Sequence, residues 1–259
     1  MGDRPRGLFV WYDTMTSDPD AAITFYTELI GWGIQEWEGG EQPYTMWTNN
    51  KAPLGGVMAL PEDAKKAGAP PHWIGYVDTP DIDATVAKVA ELGGTVHVPV
   101  TDIPGAGKFA ILADPQGAVF AAYSSAQEPG EQKVPQPGDV SWHELATTDH
   151  EAAFGFYSAL FGWQKAEAMD MGDGGMYQMY GVGGAPLGGM YNKTADMPGP
   201  PAWLYYIKVD DVNAGVEKVK ALGGQVLNGP MEVPGGDLVA QCMDPQGAAF
   251  AIHSTASAG

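Results

Sequence analysis

Phe25-Tyr26-Thr27-Glu28-Leu29-Ile30-Gly31-Trp32 returns 131 residues later as Phe156-Tyr157-Ser158-Ala159-Leu160-Phe161-Gly162-Trp163. An octapeptide recurring at a fixed offset marks a duplicated structural unit, and the flanking sequence keeps the same order. Ala52-Pro53-Leu54-Gly55-Gly56 matches Ala185-Pro186-Leu187-Gly188-Gly189, and Pro70-Pro71-His72-Trp73 matches Pro200-Pro201-Ala202-Trp203. Leu92-Gly93-Gly94 matches Leu222-Gly223-Gly224, and Asp114-Pro115-Gln116-Gly117-Ala118 matches Asp244-Pro245-Gln246-Gly247-Ala248. Between the copies, residues 127–139 carry three prolines and no apolar period, the signature of an extended linker. The chain therefore reads as two tandem modules, residues 1–126 and 140–259, joined by that linker.

Within the first copy, Leu8 to Met15 alternates as a strand, and Ser17-Asp18-Pro19 then supplies a helix N-cap and a proline for the first turn. Ala22, Phe25, Tyr26 and Leu29 keep helical spacing up to Gly31, which suits the position just past a helix end. Short strand runs follow around Thr45 to Thr48 and Gly56 to Leu60. The pattern then starts again, with a strand from Trp73 to Val77, a helix from Ile82 to Leu92, and strands near Val96, Phe109 to Leu112 and Val119 to Tyr123. Each copy thus holds two βαβββ units. This predicts an α+β fold in which paired units form a curved, open half-barrel sheet with a ligand site in its hollow.

Composition narrows the function classes. A formal net charge of -19 over 259 residues repels nucleic acid and anionic membrane surfaces, although acidity also serves plain solubility. Arginine occurs only at Arg4 and Arg6, so the body of the chain has no guanidinium to grip a phosphate or carboxylate in two-pronged fashion. The single Cys242 sits in an apolar run and reads as a buried strand residue without a redox role. The opening MGDRPRGLFVWYD has no apolar signal-peptide core, and no run reaches membrane-spanning length. The expected location is the cytoplasm.

The early strand, the Asp-Pro helix start, Phe-Tyr, Gly-Trp and the closing Asp-Pro-Gln-Gly resemble, in that order and twice over, the glyoxalase/bleomycin resistance protein/extradiol dioxygenase (vicinal oxygen chelate, VOC) superfamily. Within it the likeness is to tandem two-module glyoxalase-like proteins. The resemblance implies one divalent ion held by His and Glu from the concave strands. Its ligand positions fall on Trp11 and Trp142, on Ile74 and Leu204, near Met58 and Met190, and on Ala121 and Ala251. A hard divalent ion needs several oxygen or imidazole ligands at one point, which these residues do not supply. The expectation is a module without metal or other cofactor.

Side chains two apart on a strand share a face, which places Asp13 with Trp11, Glu144 with Trp142, Tyr123 with Ala121 and His253 with Ala251. Glu144 and His253 are then a candidate acid/base pair in the second module, with Asp13 and Tyr123 as counterparts in the first. Buried hydrogen-bonded or edge-facing roles are the competing reading. Trp11, Trp142, Trp73 and Trp203 are candidates for stacking on a planar ligand, against an alternative as core fillers, and His72, Met58 and Met190 are candidates to line the site. The leading functional reading is a protein that binds, or also transforms, a small neutral or aromatic metabolite without a metal. One alternative is a lyase, isomerase or hydroxylase-type enzyme using Glu144 and His253. Another is a drug-sequestering protein of the bleomycin-resistance kind. The partners expected are a small-molecule ligand and a second module, met within the chain or across a homodimer.

Overall fold

A computed structural model describes residues 6–39, 44–127 and 134–256, so residues 128–133 of the expected linker lie outside the described residues. The first copy runs β1 (Phe9–Thr16), α1 (Pro19–Ile30), β2 (Gly33–Trp37), β3 (Tyr44–Asn49), β4 (Ala52–Ala59), α2 (Glu62–Lys66), β5 (His72–Asp78), α3 (Ile82–Glu91), β6 (Thr95–Ile103), β7 (Gly107–Ala113) and β8 (Val119–Ser125). The second runs β9 (Val140–Thr147), α4 (His150–Phe161), β10 (Gln164–Asp170), β11 (Met176–Val182), β12 (Ala185–Asn192), β13 (Ala202–Lys208), α5 (Val212–Ala221), β14 (Gln225–Glu232), β15 (Leu238–Met243) and β16 (Ala249–Ser254).

Each copy forms one eight-stranded sheet, in the order β2-β3-β4-β1-β5-β8-β7-β6 and β10-β11-β12-β9-β13-β16-β15-β14. The two ends of each order are different strands, so neither sheet closes on itself. This is the expected α+β architecture of paired βαβββ units. In β1 with β4, and in β5 with β8, the pairing is parallel, whereas the outer strands pair antiparallel. Sequence reading omits β2, whose residues are mostly exposed, because a strand with little to bury shows no alternation.

Local chemistry sets the helix ends. Asp18 caps α1 by accepting from the Ala21 N–H at 3.0 Å, and Gly31 ends it in the left-handed region at φ 88°, where a Cβ is costly. Asp149 and Gly162 repeat this at α4. The longest helices have 12 residues, and none among the described residues is long and apolar enough to cross a membrane.

The chain packs as two compact units that cut across the sequence repeat. One comprises Met1–Trp11, Ile74–Gln132 and Trp142–Trp203, the other Tyr12–Trp73, Lys133–Ser141 and Leu204–Gly259. In the latter, the Tyr26 hydroxyl donates to Asp244 Oδ2 at 3.1 Å and accepts from Trp73 Nε1 at 2.9 Å. Asp244 Oδ1 meanwhile accepts from the Gln246 and Ala248 N–H groups of its own hairpin. Trp32 Nε1 donates to the Gly138 carbonyl at 2.7 Å, and Phe25, Tyr26 and Phe250 pack edge-on. The other unit repeats every bond: Tyr157 to Asp114 Oδ2 at 3.2 Å, Trp203 to Tyr157 at 3.1 Å, and Trp163 to the Gly7 carbonyl at 2.7 Å. Burial pushes the carboxyl groups of Asp114 and Asp244 up from their ordinary range, against the pull of their hydrogen bonds. The signature motifs of one copy thus serve to hold the other copy.

Candidate functional site

The face of the second sheet that turns away from α4 is built on β9, β11 and β12. Leu145 and Met190 are in register and fully buried, and Tyr180 stacks on Trp163 at 4.3 Å, so these residues face the helix layer. Alternation turns Trp142, Glu144, Tyr177 and Tyr191 the other way. Trp142 Nε1 donates to the Tyr177 hydroxyl at 2.8 Å, and that hydroxyl donates to Glu144 Oε2 at 3.0 Å. The Tyr191 ring stacks on Tyr177 with centroids 6.0 Å apart and planes 20° apart. Glu144 and Tyr177 are each 8% exposed. Burial, then the Glu144 charge, pushes the Tyr191 hydroxyl well above its ordinary value.

The first sheet carries the same device in shorter form. The Tyr44 hydroxyl donates to Asp13 Oδ1 at 2.5 Å, Asp13 is 3% exposed, and Trp37 meets Tyr44 edge-on at 6.2 Å. In both copies the tyrosine lies over a glycine of β4 or β12. A Cβ on Gly56 would stand 2.0 Å from the Tyr44 hydroxyl, and one on Gly189 would stand 2.0 Å from the Tyr177 ring. The glycines are needed because the ring occupies the space that a side chain would take. Sequence reading missed Tyr44 and Tyr177, although they keep the 133-residue offset of Ala52 and Ala185.

Of the other expected site residues, Met58 and, by alternation, Trp11 stay on the face of Asp13, and the rest pack or bond elsewhere. Met58 is in register with Met15 and shares the face of Asp13, but the 133-residue offset makes its counterpart Tyr191, and Met190 falls on the helix side. Two extra residues between α4 and β12 displace the register by that much. Trp73 and Trp203 are core residues at 7% exposure, donating to Tyr26 and Tyr157 beneath the helices. Trp11 is half-buried at the start of β1. His72 Nδ1 lies 2.8 Å from the Pro70 carbonyl in a local turn. The Tyr123 hydroxyl donates to the Ala106 carbonyl at 2.7 Å, and burial raises its pKa.

His253 Nδ1 faces Ser141 Oγ at 2.9 Å and its Nε2 faces Asp237 Oδ2 at 3.0 Å. When Nε2–H donates to the carboxylate, Nδ1 accepts from the serine hydroxyl. Burial works against the Asp237 charge, but the bonds from His253 and the Ala256 N–H outweigh it and hold the carboxyl below its ordinary range. Thus the described bonds of His253 are to Ser141 and Asp237, while Glu144 accepts from Tyr177. Cys242 is buried in β15, which pushes its thiol up to about 12.

The positions that the resemblance assigns to metal ligands are Trp11, Ile74, Met58 and Ala121 in the first copy and Trp142, Leu204, Met190 and Ala251 in the second, with Tyr191 in place of Met190 once the 133-residue offset is counted. Apart from a phenol and thioether of weak affinity they offer no donors. Among the described residues no group of three or more His, Cys, Asp or Glu is gathered to hold an ion. The residues present do not fit a resident divalent metal.

The model of the Glyoxalase/Bleomycin resistance protein/Dioxygenase superfamily matches residues 9–121 and again 140–252. CFP32 of Mycobacterium tuberculosis, provisionally named as a glyoxylase, is 36% identical over 95% of this chain and 94% of its own. The anthracycline biosynthesis protein DauV of Streptomyces sp. (strain C5) is 31% identical over 95% of this chain and 92% of its own. Among solved structures, the Mn(II)-bound glyoxalase from Novosphingobium aromaticivorans superposes with a TM-score of 0.65 at 18% identity, covering 98% of this chain and 83% of that one. The 2,2',3-trihydroxybiphenyl 1,2-dioxygenase of Sphingomonas wittichii gives 0.65 at 12% identity, over 97% and 91%. At such identities the likeness is one of fold.

Proposed function

Since the chain belongs to the Glyoxalase/Bleomycin resistance protein/Dioxygenase superfamily, we propose that its second copy binds a small aromatic metabolite on the face of Trp142, Glu144, Tyr177 and Tyr191 without a resident metal. The observation that carries this reading is the bonded series from Trp142 Nε1 through the Tyr177 hydroxyl to Glu144. It fixes two rings beside a carboxylate, and fixed rings stack on a planar ligand with little loss of side-chain freedom. A relative named for anthracycline biosynthesis supports a small-molecule role. The first copy, with Asp13, Tyr44 and Trp37, is the lesser site because Met58 stands where the second has Tyr191.

Titration with acridine, a planar probe whose ring nitrogen is uncharged at about pH 8, tests the reading through ligand fluorescence anisotropy. Saturable binding is expected, and Trp142→Ala should weaken it by about threefold to tenfold, the worth of one aromatic contact. Binding that survives both Trp142→Ala and Tyr177→Ala unchanged overturns the assignment.

A further inference from the structure

We infer that the second copy carries an ester-hydrolysing site separate from the ring-lined face, with Ser141 as nucleophile, His253 as its general base and Asp237 as the carboxylate that positions the imidazole. The substrate class is an uncharged carboxylic ester. Three observations lead there.

First, the three side chains form one bonded series in the order that nucleophilic catalysis needs. Ser141 Oγ lies 2.9 Å from His253 Nδ1, and His253 Nε2 lies 3.0 Å from Asp237 Oδ2. A serine hydroxyl is a weak nucleophile until a base within hydrogen-bond reach takes its proton, and a third group must orient that base. Here the carboxylate selects the tautomer: Nε2–H donates to Asp237, which leaves the Nδ1 lone pair to the serine. Ser141 Oγ also lies 3.3 Å from the Tyr206 carbonyl, the longer of these two contacts. Asp237 Oδ1 accepts from the Ala256 N–H at 2.9 Å, so the carboxylate is held through both oxygens.

Second, local structure brings these groups together where a ligand can reach them. Ser141 opens β9 and His253 closes β16, and both belong with Asp237 to one compact unit. Asp237 ends the Pro234-Gly235-Gly236 turn before β15, whose glycines stand at φ 108° and 87°. Val239 is in register with His253, which sets that turn beside the imidazole. All three residues are half-buried, and the His253 side chain keeps 16% of its surface exposed. Neighbours on a strand point to opposite faces, so Ser141 turns away from Trp142.

Third, the scaffold does not require the series. At the 131-residue offset Ser141 corresponds to Val10, and at the 130-residue offset of Asp114 and Asp244 the counterparts of His253 and Asp237 are Tyr123 and Gly107. The first copy builds the same strand order without any of the three groups, and its Tyr123 bonds the Ala106 carbonyl. Chemistry accounts for three polar residues present together better than packing does. A net charge of -19 disfavours anionic esters.

The reaction is acyl transfer to water. Ser141 Oγ bonds the ester carbonyl carbon as its proton passes to His253 Nδ1. The bond from that carbon to the alcohol oxygen then breaks, and the imidazolium returns the proton to the departing alcohol. Water attacks the acyl-serine in turn, giving one proton to Nδ1 and thence to Ser141 Oγ, and the acid is released.

Two probes on the full-length protein test the inference. 4-Nitrophenyl acetate reads turnover, and diisopropyl fluorophosphate, which bonds an activated serine with loss of fluoride, marks the nucleophile. Hydrolysis above the buffer rate is expected, stopped by the fluorophosphate, with the tag found on Ser141 by peptide mass spectrometry. Ser141→Ala should abolish it and His253→Gln should slow it about a hundredfold or more. Asp237→Asn should slow it about tenfold or more, with part of the rate restored in Asp237→Glu, a rescue that follows the charge. A tag on another residue, hydrolysis that survives Ser141→Ala, or neither hydrolysis nor tag in the wild type overturns the site. Full activity in Asp237→Asn overturns the place given to the carboxylate. Mapping the tag needs no variant, so a poorly folding one does not shield the inference, and acridine binding reads the other face independently.

Discussion

An imidazole with 5% exposure, stacked 4.0 Å from Phe9 and bonded through Nδ1 to the Leu187 carbonyl, can gain a proton only by bringing a charge into that packing. Burial therefore lowers the His143 pKa from 6.5 to about 4. Between those values the unfolded chain holds a proton that the folded chain does not, so stability is full above the unfolded pKa and declines as the pH falls toward the folded one. Urea unfolding at pH 7 and pH 5 should differ by on the order of 2 kcal/mol from this group, and His143→Phe, which keeps a stacking ring, should shrink the difference. An unchanged difference would show that His143 is not the group responsible. Asp114 and Asp244 have raised pKa values and so act with the opposite sign, which is why the variant comparison is needed. At this scale the sequence shows that Asp13 and Glu144 are equivalent, but their partners Tyr44 and Tyr177 emerge only with register. Each bond reaches across β4 or β12 from a strand more than 30 residues distant, and the two added residues that shift the offset to 133 hide the correspondence.

Among the elements, β4 and β12 are the most constrained because their twin glycines are approached from both sides. A Cβ on Gly55 would meet the Tyr12 carbonyl oxygen at 1.9 Å, and one on Gly188 would meet the His143 carbonyl oxygen at the same distance. Both obstacles are backbone, so the strand pair itself must shift. Gly188→Ala is expected to destabilise by about 1–3 kcal/mol, seen as a lower thermal midpoint. In Gly189→Ala the three nearest atoms to the new Cβ belong to the Tyr177 side chain, so the change should chiefly impair acridine binding. A reversed order of the two effects would contradict the described register. The helices were legible almost to the residue, since Asp18, Asp149, Gly31 and Gly162 are caps with local causes. By contrast β2 and α2 bury little and left no period to read.

For the molecule as a whole, the reciprocal bonds from Tyr26 to Asp244 and from Tyr157 to Asp114 join positions 218 and 43 residues apart. The duplication was plain from the octapeptide, whereas nothing in a linear pattern says that each copy's Phe-Tyr meets the other's Asp-Pro-Gln-Gly. A copy expressed alone lacks those partners and would leave the Tyr26 hydroxyl without Asp244 and Phe25 without Phe250. Residues 6–127 alone are therefore expected to show no folded monomer by light scattering and circular dichroism, and a stable monomer would contradict the role given to these bonds. Tethering has a further outcome. When two identical chains associate about a twofold axis, any change to one hollow is copied into the other. Here each ring-lined face is encoded separately, and they have already parted: Asp13 against Glu144 and Met58 against Tyr191. One hollow is thus free to specialise while its twin keeps the scaffold upright.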